Sequence, residues 1–136
     1  MVVRRVDTLI GDVESSTLSS EAFIRGPLLS FMKKVPGSPI AIVIRLLISE
    51  GHRHPDLVDY YYDNVVARGL AAIRQFIERG VERGEFRREA LKHQPHLFLA
   101  PMMMSMVWRL VFTDKPLDTD QLMESQIDML LTQLKA

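Results

Sequence analysis

Residues 45–57 of this 136-residue chain read RLLISEGHRHPDL, and this stretch divides the chain into segments. An apolar run ends at Gly51, and His54-Pro55-Asp56 then begins a new segment. Proline is tolerated in the first turn of a helix because its missing N–H has no partner there. Asp56 would lie favourably near the positive end of the helix dipole. The stretch therefore predicts the end of one helix, a short turn and the start of another.

Similar start signals recur along the chain. Ser38-Pro39 and Gln94-Pro95 repeat the arrangement, and Asp118 offers a side-chain cap. These signals predict an all-α fold of about six helices, with no internal repeat. The predicted helices run near Val2–Val13, Ser20–Lys34, Pro39–Gly51, Pro55–Arg83, Pro95–Phe112 and Thr119–Lys135.

Glycine and proline predict local departures from regular helices. Gly26-Pro27 should disturb the second helix, and Pro101 should kink the fifth, because a proline removes one intrahelical hydrogen bond. Gly84 is a candidate for a left-handed residue that closes the fourth helix. The third helix is rich in isoleucine and valine, so periodicity alone leaves a buried strand open. The Ser38-Pro39 start and the lack of a partner strand favour a helix.

Composition limits the class of protein. The length fits one domain, residues 1–136, that can bury a core without crosslinks. No cysteine is present, which excludes disulfides and thiolate metal sites. Lys plus Arg and Asp plus Glu are both 17, and this zero net charge argues against direct contact with nucleic acid. No apolar run reaches the roughly 20 residues of a membrane span, so a cytoplasmic protein that makes no membrane contact is expected.

Sites for metals and catalysis have little support in the sequence. The histidines do not combine with carboxylates at ligand spacing, and they are interpreted as loop and helix-end residues; these are His52, His54, His93 and His96. No nucleophile elbow, HExxH helix or glycine-rich phosphate loop occurs. We therefore expect no metal, no cofactor and no enzymatic activity.

The order of these segments resembles the C-terminal domains of TetR-family transcription regulators. In that family a helix ending in an RLLxxE-like run is followed by a turn and by Pro-(Asp/Glu)-Leu, as in residues 45–57. The long helix that follows typically ends in a GVxxGx(F/L)R phrase, and residues 80–87 read GVERGEFR. Two more helices follow in both cases, and the resemblance implies that they form a four-helix bundle between the two protomers of a dimer. The resemblance covers most of the chain, from about Ser19 to Ala136.

The resemblance implies an effector-binding and homodimerising domain. Family members begin with about 50 residues that form a helix-turn-helix head, and this sequence shows no such segment. Residues 1–15 are interpreted as the remnant of the helix that joins head to body. The resemblance implies a small, largely apolar or amphipathic effector and DNA binding through the head alone.

A ligand pocket is predicted between the second, third, fourth and fifth helices, with its lining residues on the long fourth helix and the methionine-rich fifth helix. Methionines suit sites that repack around varied apolar guests, and tyrosine hydroxyls can orient a ligand in an apolar pocket. The alternative is that these side chains form an ordinary packed core. The predicted lining residues are Tyr61, Tyr62, Val65, Phe98, Met102 and Ser105.

The last two helices carry more apolar surface than a small monomer readily covers, which predicts a homodimer seam. Which face of the fifth helix lines the pocket and which lies in the seam is open. A purely structural dimerisation domain without a pocket is the alternative function. The predicted seam residues are Met103, Met106, Leu110, Leu122, Met123, Gln126 and Leu130.

Overall fold

The computed structural model describes residues 18–136, which form five main helices joined by short turns. No strand occurs in this part of the chain, where an isolated bridge pairs Phe86 with Lys135. The all-α prediction is confirmed, while the helix predicted near Val2–Val13 lies outside the described residues. The helices are α1 (residues 20–34: Ser20–Phe23, Ile24–Leu28 and Leu29–Lys34), α2 (Pro39–Glu50), α3 (residues 55–82: Pro55–Tyr61, Tyr62–Val66 and Ala67–Glu82), α4 (His96–Val111) and α5 (Thr119–Leu134).

Side-chain caps begin three of the helices. Ser19 accepts a hydrogen bond from Ala22 N at the start of α1, and Ser38 accepts one from Ile40 N at the start of α2. Asp118 accepts one from Gln121 N at 3.0 Å at the start of α5. Each bond satisfies a backbone N–H that has no partner within its own helix. The predicted caps at Ser38 and Asp118 are confirmed.

Helix α1 widens into a π-helical turn over Ile24–Leu28, at the predicted Gly26-Pro27 disturbance. Pro27 has no N–H to donate to the preceding turn, so the regular ladder is interrupted at this point. The helix nevertheless continues to Lys34. The Gly-Pro pair therefore changes the local geometry of α1 without ending it.

A second π-helical turn, over Tyr62–Val66, interrupts α3. A π turn holds an extra residue, which rotates the side chains before it relative to those after it. The residues that regular spacing places on one face are therefore not all buried together. Tyr61 is 7% exposed, whereas Tyr62 is 53% exposed.

The main core lies between α1, the C-terminal half of α3, α4 and α5. Phe76 on α3 is its aromatic centre, with its ring 5.0 Å from the ring of Phe23 and 6.0 Å from that of Phe86. The predicted packed stripe of Ile73, Phe76 and Ile77 is confirmed, since all three are at most 4% exposed. This core holds the C-terminal half of α3 in place.

Three helix ends meet at the turn after α3. Gly84 adopts a positive φ of 76°, as predicted, and the turn brings Glu85 to the start of α1. There the Glu85 carboxylate accepts a hydrogen bond from Ser20 N at 2.6 Å. The end of α5 joins the same turn, because Arg87 N donates to Leu134 O at 2.7 Å. The turn thus connects α1, α3 and α5.

Replacing Glu85 with alanine is expected to lower the free energy of unfolding by about 1 kcal/mol, the usual loss for a helix-capping group. Hydrogen bonding to Ser20 lowers the pKa of Glu85, in opposition to partial burial. A lowered folded-state pKa stabilises the fold above the unfolded pKa and loses that effect as the pH falls through the folded value. Denaturant unfolding should therefore show a difference at neutral pH that shrinks in acid. The exposed Glu78→Ala is the control, and an equal loss in both variants would contradict the capping role.

Helices α4 and α5 are joined by a hydrogen bond that follows from Pro101. A proline within a helix leaves the carbonyl four residues earlier without its usual N–H donor. That carbonyl belongs to Leu97, and Gln126 Nε2 of α5 donates to it at 2.6 Å. Helix α4 continues through Pro101 to Val111. The lost backbone bond is thus replaced by a bond between helices.

Candidate functional site

The predicted ligand residues fall into two apolar clusters. Tyr61 and Val65 form a small cluster with partly buried side chains of α2 and α3, while Phe98 and Met102 belong to the main core. We call the small one the Tyr61 cluster; its members are Tyr61, Val65, Val66, Val43, Ile44 and Leu47. Ile44 packs against both clusters, so the two halves of the predicted pocket approach each other at this α2 residue.

Tyr61 is the buried member of a run of three tyrosines. Tyr60 is 60% exposed and Tyr62 53% exposed, whereas Tyr61 is 7% exposed. The Tyr61 hydroxyl is buried and has no hydrogen-bond partner among the residues that the structure describes. Burial raises the pKa of the Tyr61 phenol, so it remains protonated at neutral pH. Of the predicted tyrosines, the structure therefore places Tyr61 inside and Tyr62 at the surface.

The residues predicted from α4 are all buried. Phe98 is 3% exposed, Met102 7% and Ser105 fully buried. The Ser105 hydroxyl donates to Pro101 O at 2.7 Å, so it is already partnered within its own helix. Phe98 and Met102 offer apolar surface, and Ser105 offers no free hydrogen-bond donor in this arrangement.

Surface crevices lie elsewhere on the molecule. Crevices of about 450, 320 and 250 Å³ lie beside Lys33, Trp108 and His93 respectively, and none of the three includes a predicted ligand residue. A guest between the two clusters would repack the side chains around Ile44, which lies against both. Flexible methionines and half-buried aliphatic residues are suited to that repacking.

Sequence reasoning named no α2 residue for this site, although α2 supplies half of the Tyr61 cluster. Leu47 follows Val43 by four residues and Ile44 by three, which places these side chains on one side of a helix. That spacing was a usable signal. The apolar side chains around it obscured the signal, because Ile42, Leu46 and Ile48 are also apolar but more than half exposed.

The predicted seam residues divide between core and surface. Met106 and Met123 are 2% and 0% exposed and lie in the protomer core, where α4 and α5 pack on α1. Helices that are apolar on several sides give no sequence signal for which methionine faces inward. Gln126 is half-buried and bonded to Leu97 O, as described above. A partner would not reach Met106 or Met123 in this arrangement.

The other predicted seam residues remain at or near the surface, beside further apolar side chains. Met103 on α4 is 41% exposed, and Met129 on α5 is 72% exposed. We use the name α4–α5 face for a set of exposed or half-buried apolar residues on these two packed helices, of which Leu130 also packs against the main core. Its members are Met103, Val107, Leu110, Leu122, Met129 and Leu130.

The histidines do not form a metal site in the part of the chain that the structure describes. His52, His54, His93 and His96 are all exposed. Across residues 18–136 no three side chains of the metal-ligating kind are grouped together. In the same residues, no helix has both the length and the apolar character needed to cross a membrane.

Comparison with known proteins gives one match. The family model described as "Tetracyclin repressor-like, C-terminal domain" matches residues 27–130. The matched residues include most of α1 and all of α2, α3 and α4. No curated protein and no solved structure shows a significant match to the chain.

Proposed function

Because the chain belongs to the family of tetracycline-repressor-like C-terminal domains, we propose that it is an effector-sensing, homodimerising domain of a transcription regulator. Its effector is small and largely apolar or amphipathic, and it binds between α2, α3 and α4. DNA is contacted through a separate helix-turn-helix head, in keeping with the zero net charge of this chain. Such a regulator acts by binding rather than by catalysis, in the cytoplasm.

The α4–α5 face supports dimerisation. Its methionine, leucine and valine side chains are exposed or half-buried on two helices that pack together, and exposed apolar surface on small domains commonly marks protein contacts. The face lies on the last two helices. In the TetR family, the last two helices of each protomer build a four-helix bundle between the protomers. A twofold arrangement of α4 and α5 would bury the same residues on both subunits.

The observation that carries effector binding is the separation of the Tyr61 cluster from the main core. The two clusters meet at Ile44, and the buried polar group beside that junction is an unpartnered hydroxyl. An apolar site with a few polar groups is the usual form of a small-molecule pocket. An effector that separates α2 from α4 at Ile44 would change the bundle and, through it, the position of an attached head.

The close packing of Phe98, Met102 and Ser105 favours a second candidate, a dimerisation domain without a pocket. In that case α4 packs only in the protomer core and in the dimer seam, and it lines no ligand pocket. The two candidates differ in one measurable property, which is whether any apolar small molecule binds the folded chain specifically.

Thermal unfolding with a panel of medium-chain alcohols, ketones, fatty acids and aromatic hydrocarbons tests this proposal. A specific ligand at about 100 times its dissociation constant stabilises the fold by about 2.7 kcal/mol, which raises the melting temperature by several degrees. The control is Ile44→Trp, which fills the junction between the clusters and should remove the effect. Absence of any concentration-dependent stabilisation across the panel would favour the purely structural domain.

A further inference from the structure

We propose that the Tyr61 hydroxyl is the polar anchor of the effector site and that the effector is a neutral, mainly aliphatic molecule with a carbonyl oxygen. This inference rests on the proposed function and names the class of ligand that the site takes. It depends on the burial of Tyr61, on the side chains around it and on the backbone beside it.

The first observation is the missing partner of a buried hydroxyl. A buried polar group that gives up water without gaining a hydrogen bond costs about 1–3 kcal/mol. Such groups are uncommon in folded proteins, and each calls for a physical explanation. Ser20 Oγ and Gln126 Oε1 are in the same position, but neither lies in the Tyr61 cluster. Tyr61 is more than nine-tenths buried, and its hydroxyl has no partner in the structure. A guest that accepts a hydrogen bond would remove this cost.

The second observation is the chemistry of the surroundings. The hydrophobic side chains clustered with Tyr61 are all aliphatic: Val43, Ile44, Leu47, Val65 and Val66. Burial alone raises the pKa of Tyr61, and no charge among the described residues contributes. A charged ligand would lose its hydration here without meeting an opposite charge, which is strongly unfavourable. The site therefore selects neutral molecules.

The third observation concerns the direction of the hydrogen bond and the shape of the helix. A protonated phenol donates one hydrogen bond, so the matching group on the ligand is an acceptor such as a carbonyl oxygen. The π-helical turn Tyr62–Val66 begins directly after Tyr61 and includes Val65. π turns in α-helices are frequent at functional sites, where they reposition side chains. Here the turn coincides with the burial of Tyr61 and the exposure of Tyr62.

The test compares 2-octanone with 2-methyl-1-octene, in which a methylene group of similar size replaces the carbonyl oxygen. Dissociation constants of both probes are measured by NMR titration for the wild type and for Tyr61→Phe. For each protein, the dissociation constant of the ketone is divided by that of the alkene. Comparing this ratio between the wild type and Tyr61→Phe cancels the difference in hydration between the two probes. One neutral hydrogen bond corresponds to a preference of about 3- to 10-fold for the ketone in the wild type, lost in Tyr61→Phe. Tyr62→Phe, at the exposed neighbouring position, should retain the preference.

The possible outcomes separate this inference from the proposed function. If both probes bind and Tyr61→Phe leaves the ratio unchanged, the pocket stands and the role of the hydroxyl is refuted. If neither probe binds either protein, both the pocket and this inference fail. Octanoate binding as tightly as 2-octanone would overturn the neutral class of ligand.

The stability of ligand-free Tyr61→Phe gives an independent check. Removing a hydroxyl that has no partner should leave the melting temperature unchanged or raise it. A clear fall in stability would mean that the hydroxyl has a structural partner in solution, and that result would contradict its role as a vacant anchor.

Discussion

Replacing Met129 with glutamate is expected to split the dimer into folded monomers. Met129 is 72% exposed on α5, so the protomer loses no packing when it is changed. A twofold interface carries the substitution on both subunits, and each buried carboxylate would lose its hydration. We expect the dimer dissociation constant to rise at least about 100-fold, as for the loss of an interface hot spot. Sedimentation at micromolar concentration should then show a 15.6 kDa species with unchanged helical circular dichroism.

The matched control is Ile48→Glu, which places the same charge on an exposed apolar position of α2. Ile48 is 61% exposed and belongs to α2 rather than to α4 or α5. The Ile48→Glu variant should leave the dimer intact. Dissociation by Ile48→Glu but not by Met129→Glu would move the interface to α2. Met123→Glu would be a poor probe, because Met123 is 0% exposed and a charge there would unfold the protomer.

Replacing Gly80 with alanine is expected to destabilise the fold by about 2–3 kcal/mol, the range for forcing extra atoms into a packed core. A Cβ at Gly80 would lie within 3.0 Å of three atoms of the Phe86 ring. That ring is 3% exposed and packs edge-on against Phe76, so it has no space into which to move. The helix can approach Phe86 this closely because glycine has no side chain.

Gly69→Ala provides the opposite result in the same helix. Gly69 lies within Ala67–Glu82, and a Cβ there would meet no atom of residues 18–136 within 4 Å. Alanine is the better helix former by about 1 kcal/mol, so this variant should be more stable than the wild type. Denaturant unfolding of the two variants should give changes of opposite sign. Equal stability of Gly80→Ala and Gly69→Ala would contradict the close packing at Phe86.

The helix boundaries were largely predictable because they depend on local chemistry. A proline after a cap, as at Ser38-Pro39, and a side-chain cap such as Asp118 act within one turn of backbone. The glycine at position 84 was assigned its positive φ for the same reason, since other residues rarely adopt it. Signals of this kind need no knowledge of what the helix packs against.

The faces of the helices were less predictable because they depend on distant partners. The π turn in α3 changes which tyrosine is buried, and nothing in residues 60–62 distinguishes the three rings. Met106 and Met123 are chemically equivalent to the exposed Met103 and Met129, and only packing separates them. The pairing of Gln126 with Leu97 O had a partial signal, since Pro101 predicts an unpaired carbonyl but not its donor.

The division of the interior into a large and a small cluster has a consequence for the order in which the protein opens. Local opening is easiest where few apolar contacts hold a segment, and cooperative units follow such divisions. Helix α2 contributes one buried residue, Ile40, to the large cluster, and the start of α3 contributes the two buried residues of the small one, whereas α5 contributes four buried residues to the large cluster. Amide hydrogens of α2 should therefore exchange with solvent faster than those of α5. A guest bound beside Tyr61 would slow exchange mainly in the part that opens first, so the domain would sense its effector through its least stable unit.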